Sequence, residues 1–198
     1  DLVTFYDYKD IEKLEKFLQG KPIAEQEIGR LLIMETIAFS ETSMCRRKYI
    51  LHYFGEEFAS SDCNQMCDNC KNPKPTSEGK IEVKKLLEVI IECKQRFKPK
   101  EIAKIMIGES NSLIKQHMSQ ISHVFGSGKE KSIQFWHSII RQVYVKQLIT
   151  KEIESYGVLK ITDKGIDFIN SPKSFMITED HDYNCLLYTS DAADDVRS

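Results

Sequence analysis

Cys45, Cys63, Cys67 and Cys70 are the residues whose type and spacing promise chemistry. The last three lie in C-N-Q-M-C-D-N-C, and the first stands upstream in S-M-C-R-R-K-Y-I-L-H-Y-F-G-E-E-F. Thiolate is a soft ligand, and four thiolates complete the tetrahedral shell of a zinc ion, leaving no open position for a substrate. The expectation is a closed, structural zinc site. The three-residue gap between Cys63 and Cys67 lies within the two to four residues that such ligand pairs span. Disulfides are the competing reading. The start D-L-V-T-F-Y-D-Y-K-D lacks the basic and then apolar segments of a secretory signal. In a reducing compartment, clustered cysteines bind metal more often than they pair. Cys93 stands in an apolar helical pattern and reads as a small buried hydrophobe.

A closed metal site needs elements to hold it. Ile11, Leu14, Phe17 and Leu18 predict a helix over 9–19, stopped by Gly20 and Pro22. A second helical stripe runs over 23–39 through Ile28, Leu31, Leu32, Ile37 and Ala38, with Glu35 as its polar break. A third helix over 44–54, ended by Gly55, places Cys45 in its first turn and the other cysteines on an irregular knuckle beyond its far end. Such a unit has little apolar core, so a metal would contribute much of its folding free energy. Residues 71–80, K-N-P-K-P-T-S-E-G-K, have the composition of a linker.

Beyond it, Val83, Leu86, Leu87, Ile90 and Ile91 predict a helix to about Phe97, and Pro99 and Gly108 bracket another over 99–107. A polar segment with the turn F-G-S-G-K leads into a long helix over 131–148. Two strands, L-I-T-K-E-I and G-V-L-K-I-T, are joined by E-S-Y-G and followed by the helical D-K-G-I-D-F-I before Pro172. Three helices and then a hairpin is the order of a winged helix. The predicted fold class is mainly α with a small β-hairpin: a helical zinc-binding subdomain over 21–75, then a winged helix over 76–177.

A chain of 198 residues with 41% hydrophobic and 29% charged residues is long enough for one ordinary globular domain or two small ones. A net charge of -2 excludes a strongly basic nucleic-acid protein and directs attention to local patches. Residues 131–148 carry Lys131, Arg141 and Lys146 with no acid, and 94–100 read K-Q-R-F-K-P-K. No apolar run approaches the roughly 20 residues of a membrane span.

C-R-R-K-Y-I-L-H-Y-F-G-E-E-F followed by C-D-N-C resembles the zinc-binding segment of RecQ DNA helicases, and F-G-S-G-K-E-K-S followed by W-H-S-I-I-R-Q resembles their winged helix. The resemblance covers residues 1–184. It implies the C-terminal accessory region of an ATP-driven helicase that unwinds DNA 3′ to 5′ in recombination and repair. Residues 1–20 would be the exit from the second motor lobe, L-V-T-F-Y included. It implies Cys45, Cys63, Cys67 and Cys70 as ligands of structural Zn2+, duplex or forked DNA as partner, and a bacterial, cytoplasmic, nucleoid-associated monomer. ATP and Mg2+ would belong to the motor alone, since this stretch has no G-x-x-x-x-G-K-[ST] phosphate loop. By itself it is expected to be inactive.

The DNA-binding candidates each have a plainer reading. Arg46 and Arg47 could hold phosphate, or pair with Glu56 and Asp68 beside the thiolates. On the helix over 131–148, Ile133, Trp136, Ile140 and Val143 form a core stripe, and Lys131, Ser132, Ser138, Arg141 and Gln142 offer the other face to phosphate oxygens or simply to water. Gly126 and Gly128, with Lys129, could let backbone amides approach a phosphate. Tyr156 at the hairpin turn could separate base pairs, as an aromatic wing tip does in some relatives. His117, His123 and His137 lack metal-ligand spacing. Residues 185–195, C-L-L-Y-T-S-D-A-A-D-D, look like a translated sequencing adaptor, which would leave Cys185 without a role. A stand-alone zinc and winged-helix transcription regulator is the competing class. A metal sensor is a third, disfavoured by a closed thiolate shell.

Overall fold

The computed structural model describes residues 8–181. The expected end of a motor lobe at L-V-T-F-Y and the adaptor-like tail with Cys185 lie outside them. These residues are mainly helical with two small antiparallel sheets.

The first unit contains α1 (Tyr8–Lys16), α2 (Ile23–Glu41), α3 (Arg46–Tyr53), a 3-10 turn (Ser60–Cys63) and α4 (Asp68–Lys71). Its apolar centre is small: Ala38, Tyr49 and Val145, with Phe39, Met44 and Tyr144 packed around them. Two of these, Tyr144 and Val145, come from the second unit.

The second unit runs β1 (Ser77–Glu78), α5 (Lys80–Glu92), α6 (Pro99–Ile107), α7 (Ser112–Gln116), α8 (Met118–Ile121), α9 (Ile133–Val145), β2 (Ile149–Glu152), β3 (Val158–Ile161), α10 (Asp163–Asn170) and β4 (Met176–Ile177). Its core is built from Leu86, Leu87 and Ile90 of α5, Ile102 and Ile105 of α6, and Trp136, Ile139 and Val143 of α9. The hairpin closes over it through Ile149 and Leu159. Local chemistry sets the helix ends. Ser132 Oγ accepts from Phe135 N at 3.1 Å at the start of α9, and Thr162 Oγ1 accepts from Gly165 N at 3.1 Å at the start of α10.

The structure departs from the sequence reading in three places. The helix expected to reach Phe97 ends at Glu92, because Lys94 and Gln95 take left-handed φ of 56° and 51°. That break turns the chain onto the free edge of β3, where Leu159 N donates to Phe97 O at 3.0 Å and Ile161 N to Gln95 Oε1 at 2.8 Å. The polar segment before α9 folds into α7 and α8, whose Ile114 and Ile121 are buried. The linker contains a strand: β1 pairs with β4, Ser77 opposite Ile177. This pairing returns residues 172–181 to the junction between the units.

Candidate functional site

The knuckle draws each cysteine from a different piece of backbone. Cys45 precedes α3, Cys63 ends the 3-10 turn, Cys67 precedes α4 and Cys70 lies within it. Asn64 and Gln65, at φ 48° and 57°, reverse the chain between Cys63 and Cys67. Two left-handed non-glycine residues in a row cost roughly 1 to 2 kcal/mol each, so the surrounding contacts must hold this turn. They do so at α4. Arg46 grips Asp68 with two hydrogen bonds, Nε to Oδ1 at 2.7 Å and Nη2 to Oδ2 at 2.9 Å, and donates Nη1 to Phe39 O at 2.6 Å. Asn69, buried between two ligands, donates its amide to Thr42 O and Met44 O, both at 2.7 Å.

The four Sγ atoms lie within 4.8 Å of one another. Ligands about 2.3 Å from a zinc ion at tetrahedral corners stand about 3.8 Å apart, so the set fits such an ion with small adjustments. It is also the only such group of metal-ligating side chains among the described residues. Crowding makes the thiols unequal. Burial, then the neighbouring thiols, push Cys70 up, and burial raises Cys45. At Cys63 burial also acts upward, but hydrogen bonding to the Cys67 amide and the other thiols outweighs it and brings the group down to about 7. Cys45 and Cys70 therefore resist carrying negative charge, a penalty that a bound dication relieves.

The polar face of α9 does not face solvent. Ser138 is fully buried and donates Oγ to Thr178 O at 2.8 Å. Gln142, also buried, donates Nε2 to Thr178 O at 2.7 Å and accepts from Thr178 N at 3.0 Å. Arg141 bridges Asp180 and Glu41, the latter at 2.7 Å. These three candidates are corrected from DNA contacts to internal clamps, because their donors and acceptors are engaged inside the fold. What stays exposed is the start of the helix: Lys131, Ser132 and Gln134, with Lys129 just before. Gln134 went unremarked in the sequence, although its place off the Ile133, Trp136 and Ile140 stripe marks it as outward.

The family model described as RecQ zinc-binding matches residues 8–71, and that of the RQC domain matches residues 73–184. The chain belongs to the RecQ family. It is 35% identical over 153 residues to the ATP-dependent DNA helicase RecQ of Pasteurella multocida, covering 75% of this chain and 24% of that protein. It is 32% identical over 156 residues to the protein of that name from Haemophilus influenzae, covering 76% and 25%. With that of Bacillus subtilis it shares 23% identity over 167 residues, covering 83% and 28%. The chain thus spans about a quarter of the length of these relatives.

Other candidate residues find plainer roles. Arg46 is committed to Asp68, as the pairing alternative foresaw, whereas Arg47 is exposed, with its guanidinium 5.5 Å from the Phe58 ring and Nη1 on Met66 Sδ at 3.2 Å. The amides of Gly126 and Gly128 are spent on Ile105 O at 2.7 Å and Met106 O at 2.8 Å, so they cannot cradle a phosphate. Tyr156 is half-buried with Lys98 Nζ 5.8 Å from its ring, and Gly157 abuts Leu31 of α2. The hairpin turn is therefore folded back on the first unit, and Ile153, 75% exposed, is its most prominent apolar residue. No described helix is long and apolar enough to cross a membrane.

Proposed function

We propose that this chain is the accessory region of a RecQ-type, 3′-to-5′ ATP-dependent DNA helicase of recombination and repair. In this reading Cys45, Cys63, Cys67 and Cys70 hold structural zinc, and a winged helix built on α5, α6, α9 and the β2–β3 hairpin binds duplex or forked DNA. ATP hydrolysis would belong to a motor elsewhere in the same polypeptide. Zinc bound here would supply charge neutralisation and cross-linking only, since four thiolates leave no position for a substrate.

The observation that carries the DNA reading is the exposed start of α9. Lys129, Lys131, Ser132 and Gln134 share one surface, and the acid among them, Glu130, is held by Lys85 at 3.0 Å. Lys131 is propped 4.9 Å from the Phe135 ring. Ser132 accepts the Phe135 amide with its hydroxyl oxygen and keeps its hydroxyl proton for a phosphate oxygen.

Fluorescence anisotropy with a labelled fork tests this. Lys129→Glu with Lys131→Glu should weaken binding at least tenfold and reduce the slope of log K against log salt by about 0.9 for each phosphate no longer neutralised. Unchanged affinity and slope would overturn the assignment. Strong preference for one duplex sequence over any fork would favour a transcription regulator instead.

A further inference from the structure

Residues 172–181 form a strap with no apolar core of their own, yet they are fixed at both ends. At one end Glu78 accepts from Phe175 N at 2.9 Å and from Ser174 Oγ at 2.6 Å, beside the β1–β4 pair. In the middle, both polar groups of the Thr178 backbone are taken by Gln142 of α9. At the far end the strap meets the cysteine knuckle. His181 Nε2 lies 2.8 Å from Asn69 Oδ1. A carboxamide oxygen only accepts, so the histidine carries its proton on Nε2. His181 N donates to Glu41 O at 2.8 Å, and Lys74 Nζ reaches Asp180 O at 2.7 Å.

Asn69 therefore has two clients. Its amide nitrogen fixes the loop that delivers Cys45, and its oxygen receives the strap. Moving α4 by an ångström would break both sets of bonds together. The strap's other attachment, Asp180 to Arg141 and on to Glu41, runs directly into α9, whose start carries the exposed lysines.

We infer that the strap is a latch coupling metal occupancy of the knuckle to the seating of α9, with Asn69 and His181 as its two halves. The inference rests on the zinc reading above. A knuckle closed on its ion holds Asn69 Oδ1 where His181 can reach it; an open knuckle releases the strap, and with it one of the two carboxylates that hold Arg141. Coupling of this kind is reciprocal, so losing the strap must also loosen the metal.

The test is zinc release from the purified chain to a colorimetric chelator, with zinc content measured first. The wild-type chain should carry one zinc. Its absence would overturn the metal reading and the latch with it, whereas the variants below test the latch alone. His181→Ala, remote in sequence from every ligand, should still carry one zinc but lose it at least about fivefold faster. His181→Gln, which restores a donor, should return most of that loss. Asn69→Ala combined with His181→Ala should release no faster than Asn69→Ala alone. A wild-type release rate in His181→Ala would overturn the latch. Hydrogen exchange gives the reciprocal reading: the Thr178 amide should lose protection when zinc is stripped, while the buried amides of α5 keep theirs. Equal protection at Thr178 with and without zinc would overturn it as well.

Discussion

His137 lies on α9, half-buried, where burial first and then the charges of Arg141 and Lys100 pull its pKa down to about 4 from an ordinary value of 6.5. The fold thus prefers the neutral ring, while the unfolded chain takes up a proton as pH falls. The sign follows: the stability this preference contributes is present above pH 6.5 and is lost as pH falls toward 4. A depression of that size is worth a few kcal/mol at most, at about 1.4 kcal/mol per pH unit. Urea melts at pH 7 and pH 5 should show a steeper loss of stability in the wild type than in His137→Gln. Equal losses would remove His137 as the cause. The ligands give a second prediction at this scale. Cys67→Ser or Cys70→Ser should lower zinc content and the melting temperature together, read by metal analysis and calorimetry, because the small apolar cluster around Ala38 and Tyr49 is too little core to hold the first unit alone.

Among the elements, α9 decides the most. One face is apolar core, the other is clamped to the strap, and only its start is free. The loop before it is built on a close approach: a Cβ on Gly128 would stand 2.4 Å from Trp136 Cζ2 and 2.7 Å from Met106 Cε. Gly128→Ala should therefore cost about 1 to 3 kcal/mol in denaturant melts, as other overpacked cores do, and should displace Lys129 and Lys131. Much of this element was legible beforehand. The spacing of Ile133, Trp136, Ile140 and Val143 announced a helix and its buried stripe, and the four cysteines announced the knuckle. The fate of Ser138, Arg141 and Gln142 was not legible. Their partners, Thr178 and Asp180, lie more than thirty residues away, and polar residues opposite a core stripe look the same whether water or another segment covers them. The β1–β4 pair was hidden for the same reason. Two residues per strand carry no alternation, and their pairing depends on a contact across about a hundred residues.

For the whole molecule, the two units share side chains rather than a covalent hinge alone. Lys98 meets Glu27 at 2.6 Å, Lys151 meets the buried Glu35, and Arg141 joins Glu41 to Asp180. The largely buried pairs of Lys151 and Arg141 contribute little net stability but penalise strongly any arrangement that separates the partners. They therefore set the angle between the units more than they set stability. In the proposed helicase, that angle would set how the start of α9 is presented relative to the first unit.

Trp136 is the sole tryptophan of the chain; its indole is fully buried and donates to Gly128 O at 2.9 Å in the loop that presents the lysines. The protein thus carries its own optical probe, confined to the second unit. Its emission should report DNA docking at that loop and the melting of the α5, α6 and α9 core, and it should be nearly blind to fraying of α1 and α2. Paired with a colorimetric zinc readout, a single cuvette would follow the two halves of the molecule separately.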